Sequence, residues 1–178
     1  PFSQLQQQLD KASRVVDQTA SLFDGHAMAI GILPTLAGSH LTEDYLTNRP
    51  RYKALTQELS EQRGAPFDID IHGQDVVRTT CDDVTLEGAN TSFQLHHRIA
   101  HSRFTDCYNA AQLISPLVLA LAGNSPFFMG KRLWQETRIA LFKQAIDYRD
   151  TNATQWRQPA RVSYGHGWLR NGITDCLT

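Results

Sequence analysis

The sequence predicts an α+β fold, a mainly antiparallel sheet packed with helices, in a single domain over residues 1–178. Three observations point there. Short runs with period-2 alternation lie among longer runs with helical spacing. The two kinds do not follow one another in the regular order that a parallel βαβ fold requires. Finally, 178 residues with 41% hydrophobic content suffice for one core.

Taken in order, Ser3 with Gln6 forms a capping-box pattern, and Leu5, Leu9, Ala12, Val16 and Phe23 make a helical stripe ending before Gly25. His26 to Leu33 is nearly all apolar and reads as a buried strand ended by Pro34. Its small residues Ala27, Ala29 and Gly31 fall on one face and leave room for a close approach. After a loop with Thr42, Glu43 and Asp44, a helix is expected from about Arg51 to Arg63, stopped by Gly64. Phe67, Ile69 and Ile71 alternate with Asp68, Asp70 and His72. A Gly73-Gln74 turn then leads into Val76-Val77-Arg78-Thr79, so the segment reads as a hairpin with a solvated acidic row.

Ala89 to His96 also alternates. Ala89, Thr91, Phe93 and Leu95 share one face, and Asn90, Ser92, Gln94 and His96 the other. An uncharged polar row suits the floor of a polar ligand cleft, whereas an ordinary solvated face more often carries Lys, Glu or Arg. Phe104 to Ala122 reads as a helix, almost wholly apolar after Asn109 and therefore expected to be central and buried. Pro116 within it removes a backbone bond and predicts a kink near Gln112. Gly123-Asn124-Ser125-Pro126 is a stop signal, and a further helix is expected from about Lys131 to Tyr148. Asp150 to Pro159 is polar and loop-like, and Arg161 to Trp168 reads as a strand or a glycine-hinged loop.

Composition excludes several classes. Seventeen basic and eighteen acidic residues give a formal charge of −1, with no basic stripe, which argues against nucleic acid or an anionic membrane as partner. The apolar run from Leu113 to Gly123 is interrupted by Ser115 and Pro116 and is too short to span a bilayer. Three scattered cysteines, Cys81, Cys107 and Cys176, form no CxxC and fit a reduced, cytoplasmic setting, with Cys107 expected in a helix core. The chain enters a helical pattern at Pro1 and stops at Thr178 without a cap, so it is expected to be a piece of a longer protein.

Arg138 is the leading functional candidate. On the expected helix it shares a face with Trp134, Leu141 and Phe142. A guanidinium in an apolar stripe needs an anionic partner or ligand, and its planar fork suits a carboxylate or phosphate. The plainer alternative is an arginine stacked on Trp134. His96, His97 and His101 could be drawn as a zinc cluster, but the first two point to opposite faces and no HExxH supports them, so no metal ligand is assigned. Ser92 lacks a nucleophile-elbow context. Asn124, at a helix stop, is a cap or a ligand.

The runs GANTSFQLHH, YNAAQLISPLVLALAGNSPF and GKRLWQETRIALF, with AIGILPTL and NRPRYKAL upstream, resemble the glutamate–cysteine ligase family of carboxylate–amine ligases over about Ala29 to Tyr148. The resemblance implies a glutamine synthetase-like fold, with a concave sheet face as active site. It also implies ATP and Mg²⁺ as cofactors, an amino-acid substrate and an amine co-substrate, as in glutathione biosynthesis. Arg138 then matches the family arginine facing nucleotide phosphate or substrate carboxylate. Ser92 and Gln94 occupy inward strand positions where they would bind substrate or nucleotide together with Asn124. Other members carry His where Ser92 stands, which leaves room for a different substrate. The family's metal-binding Glu-x-Glu strand is absent from this sequence, so the chain reads as an internal fragment of the catalytic domain, inactive by itself, with the metal ligands outside it. A non-catalytic member of the same fold, binding a small metabolite or a protein, is the alternative. A metal-dependent hydrolase is a second one. The oligomeric state is not encoded in any of these patterns.

Overall fold

The structure is a computed structural model that describes residues 2–149, 162–165 and 167–176. The chain divides into two compact units, Pro1–Ile30 and Gly31–Thr178.

The first unit is built on helix α1 (Phe2–Ser21), none of whose residues is buried. The helix ends where the sequence places its stop. Gly25 donates its N–H to the Ala20 carbonyl at 3.0 Å, and Asp24 adopts a positive φ of 53°. Asp17 reaches past the turn and accepts the Ala27 N–H at 3.1 Å. His26 to Leu33, expected as a buried strand, is not one, and Ala27 and Ala29 are exposed. No strand among the described residues forms a ladder with it, and only its end is buried, at Gly31 and Ile32.

The second unit holds the core. Helix α2 (Pro50–Arg63) starts with proline at its first turn and ends on Gly64 at φ 66°, as its sequence predicts. Strands β1 (Phe67–His72) and β2 (Val76–Cys81) form the expected antiparallel hairpin, pairing Phe67 with Cys81 through His72 with Val76. The alternation sends Phe67, Ile69 and Ile71 inward and leaves Asp68, Asp70 and His72 exposed. Gly73 is required at its turn, because a Cβ there would collide with the Leu133 backbone. A short helix α3 (Thr85–Gly88) follows and buries Thr85 and Leu86.

Ala89 to His96, expected as the polar-faced strand, is irregular, and residues 91–98 are exposed on both sides of the alternation. The pattern is genuine in sequence, but an alternating run becomes a strand only when a neighbouring edge accepts its hydrogen bonds.

Helix α4 (Phe104–Ala122) has the expected bounds but not the expected burial: none of its residues is buried, and Leu121 is 90% exposed. Its composition sets its affinity for a core, but burial also needs an opposing surface, and no described element supplies one. Cys107 is accordingly only half-buried. Pro116 lies inside the helix, and without its N–H the Gln112 carbonyl loses its helical donor. The Tyr164 hydroxyl fills that place at 2.7 Å, and the Gln112 amide donates back to the Tyr164 carbonyl at 2.7 Å. One turn earlier the Asn109 side chain pairs with both backbone groups of Leu169, donating at 2.9 Å and accepting at 3.0 Å. Residues 162–165 and 167–169 are therefore irregular chain docked on α4, not a strand; Asp150 to Pro159 lies outside the described residues.

The helix expected over Lys131 to Tyr148 is shorter. A small hairpin of β3 (Phe127–Phe128) and β4 (Lys131–Arg132) comes first, closed by Met129 and Gly130 at φ 51° and 71°. Positive φ at both central residues is the turn geometry that tight hairpins favour. Helix α5 then spans Thr137–Ala145 and lies against β1. Ala140, Leu141 and Ala145 join Ile32, Ile69, Ile71, Val77, Leu86, Phe128 and Leu133 in one core cluster. Gln144 fixes the contact by acting like another strand residue: its amide accepts the Asp70 N–H at 2.8 Å and donates to the Asp70 carbonyl at 3.1 Å. The architecture is α+β, as predicted, and among the described residues the strands form two antiparallel hairpins. Among the described residues no helix is long and apolar enough to cross a membrane.

Leu141 is fully buried, so Leu141→Ala is expected to lower unfolding free energy by about 2–5 kcal/mol in urea titration. Tyr164→Phe removes only the bond to Gln112 and is expected to cost about 0.5–1.5 kcal/mol at most. Its sharper signature is faster amide exchange at Leu169.

Candidate functional site

The start of α5 and the chain around Asn124 are joined by backbone. Ser125 and Glu136 form a parallel bridge in which the Ser125 N–H bonds to the Gln135 carbonyl at 3.1 Å and the Thr137 N–H to the Ser125 carbonyl at 3.2 Å. Two other segments meet this bridge. The Gly31 N–H donates to the Asn124 carbonyl at 3.0 Å, and the Gly31 carbonyl accepts from the Thr91 N–H at 3.1 Å and hydroxyl at 2.9 Å. Residues remote in sequence thus converge on one backbone junction.

The Arg138 guanidinium fills that junction. Its Nε donates to Glu136 Oε1 at 2.5 Å and its Nη2 to Glu136 Oε2 at 2.8 Å, a bidentate pair. Nη2 also donates to Asn124 Oδ1 at 2.9 Å, and Nη1 to the Thr91 carbonyl at 2.6 Å. These bonds engage four of the five guanidinium N–H groups. The fifth, on Nη1, meets no acceptor among the described residues. Glu136 is held as firmly, for its carboxylate also accepts from the Ser125 hydroxyl and the Asn124 N–H. Arg138 is 23% exposed and Glu136 10%, so solvent reaches the arginine more than its partner.

The electrostatics follow. Burial pushes the Glu136 carboxyl up, but the bonds from Arg138, Ser125 and the Asn124 N–H outweigh it and hold the group below the usual glutamate range. The Glu136 hydrogen bonds raise Arg138 against the opposing effect of burial. Gly31 is the floor: a Cβ there would lie 2.7 Å from Arg138 Cζ and Nε and 2.8 Å from Asn124 Oδ1. The small residue flagged as admitting a close approach does so, and what approaches is the guanidinium.

Of the residues singled out in the sequence, Arg138 and Asn124 come together. Ser92 and Gln94 lie in the irregular, exposed segment after Thr91, where Gln94 contacts His96 at 3.2 Å. Trp134 is not on the helix of Arg138; its indole donates to the His72 carbonyl at 2.7 Å. Glu136, Ser125 and Thr91 were not recognised in the sequence. In a helix beginning at Lys131, Glu136 would point some 200° away from Arg138. It instead precedes the helix, with φ −130° and ψ 70°, and folds its carboxylate back over the first turn. The signal that finds it is the requirement of a half-buried arginine for a nearby anion.

Among the described residues no three His, Cys, Asp or Glu side chains are grouped to hold a metal ion. The residues at this junction do not fit a Mg²⁺ cage, so no chemical step is assigned through the metal here. Burial raises the Cys81 thiol pKa, which disfavours its thiolate.

The α+β core thus brings the AGNSPF and ETRIALF segments together around a fixed arginine. The family model of glutamate-cysteine ligase family 2 matches residues 1–160, and the chain belongs to that family. Comparison with curated proteins and with solved structures found no match.

Two outcomes test the junction. Gly31→Ala drives a methyl into the guanidinium and is expected to destabilise by about 1–3 kcal/mol in urea titration. Glu136, lowered in the fold, contributes stability that is complete above about pH 4.3 and is lost as pH falls through its lower folded value. The stability gap between wild type and Glu136→Gln should therefore hold above the ordinary glutamate range and narrow as pH falls below it.

Proposed function

We propose that this chain is part of an ATP- and Mg²⁺-dependent carboxylate–amine ligase with a glutamine synthetase-like fold. Family membership over residues 1–160 carries the reading, because the matched region includes every residue of the Arg138 junction. In such a reaction a substrate carboxylate takes the γ-phosphoryl group of ATP. An amine then attacks the acyl phosphate, forms the amide and releases phosphate. Little covalent work falls to the protein, whose task is alignment and charge neutralisation.

On this reading the remaining Nη1–H of Arg138 faces an anionic group of substrate or nucleotide. Asn124 holds the arginine and borders the same ligand. Ser92 and Gln94 offer hydroxyl and amide groups to the amino acid or nucleotide once the segment after Thr91 closes on it. The metal ligands come from elsewhere in the full-length protein, and a cytoplasmic location suits an enzyme that draws on ATP. Glutamate and an amine such as that of cysteine are the first substrates to try.

The test is ADP release by the full-length protein with Mg²⁺-ATP, glutamate and a pool of amines, each omitted in turn. ADP formation that requires both acid and amine is expected. Silence across a wider panel of acids would overturn the ligase reading in favour of a metabolite- or protein-binding member of the fold. Arg138→Ala is expected to lower turnover by about two orders of magnitude or more with the fold retained. Near-wild-type turnover would remove Arg138 from the site.

A further inference from the structure

An arginine that binds an anionic substrate with its full fork presents two parallel N–H groups to it. Arg138 has already committed that edge: Nε and Nη2 both face the Glu136 carboxylate. Its second Nη2 hydrogen goes to Asn124, and one Nη1 hydrogen to the Thr91 carbonyl. The second Nη1 hydrogen meets no acceptor among the described residues. Glu136 itself is clamped by the Ser125 hydroxyl and the Asn124 N–H, so it is anchored independently of the arginine it holds.

We propose that Glu136 is a positioning residue that presets Arg138, and that Arg138 meets its anionic ligand, a carboxylate or a phosphate, through its remaining Nη1–H. This deepens the ligase reading and rests on it. The geometry distinguishes the proposal from its opposite, in which Glu136 is an internal competitor that the ligand must displace. A competitor would need to leave, yet Glu136 is nearly buried and bonded on both oxygens. Leaving would also strip the Ser125 hydroxyl and the Asn124 N–H of their acceptor.

The two versions predict opposite signs. In the full-length protein, Glu136→Gln keeps the volume but turns an NH₂ toward the guanidinium, loosening its orientation. Positioning predicts that KM rises about tenfold or more for the co-substrate that Arg138 contacts, while the other KM stays near wild type. A rise in KM for the acid identifies a carboxylate ligand, and a rise in KM for ATP a phosphate. Glu136→Asp, which keeps the charge, should recover part of the loss. Ser125→Ala, a milder change on the same carboxylate, should move the same KM in the same direction by a smaller factor, and it carries the test if Glu136→Gln fails to fold.

A fall in KM would establish the competitor and overturn the proposal. So would unchanged KM values in Glu136→Gln where Arg138→Lys raises one of them. Unchanged KM values in Arg138→Lys itself would overturn the use of Arg138 in the ligase reading, a result the parallel assay separates from the first two.

Discussion

The bidentate pair between Arg138 and Glu136 is the constraint around which the second unit is organised. A charge removed from water is tolerated only when its partner and its remaining hydrogen bonds are in place. Solvent still reaches Arg138, which is 23% exposed, so the pair is partly rather than fully withdrawn from water. Here the remaining bonds come from Thr91, Asn124 and Ser125, so two further stretches of chain must hold their positions for the pair to persist. Gly31 belongs to the same requirement, since only a residue without a side chain lets its backbone run beneath the guanidinium.

The core supports that arrangement from the other side. Helix α5 carries Arg138 in its first turn and buries Ala140, Leu141 and Ala145 against the hairpin. Gln144 ties the helix to Asp70 by a pair of amide–backbone bonds. The C-terminal half of α5 thus fixes the helix axis, and the ion pair fixes its N-terminal turn. A site that must hold a ligand within a few tenths of an ångström benefits from anchors of these two different kinds.

Proline in α4 shows how a local defect is used. Pro116 frees one carbonyl, and a residue 48 positions further on takes it through a tyrosine hydroxyl. Asn109 adds a second polar clasp on the backbone of Leu169, whose side chain is buried.

Much of the local structure was legible from the sequence. The bounds of α2 and α4, the β1–β2 hairpin and its inward Phe67, Ile69 and Ile71 follow from spacing, caps and turn residues, which act over a few positions. That Arg138 needs an anionic partner was likewise readable, from the cost of burying a guanidinium, but its contact with Asn124 was not. What the sequence alone could not decide was pairing. Whether Ala89 to His96 becomes a strand depends on a free edge beside it, and whether α4 is buried depends on a surface to cover it. Glu136 became a partner of Arg138 only because the chain turns just before α5 instead of continuing as helix. Each of these outcomes depends on where a distant segment lies, and hydrogen bonds and ion pairs form according to distance in space, not separation along the chain.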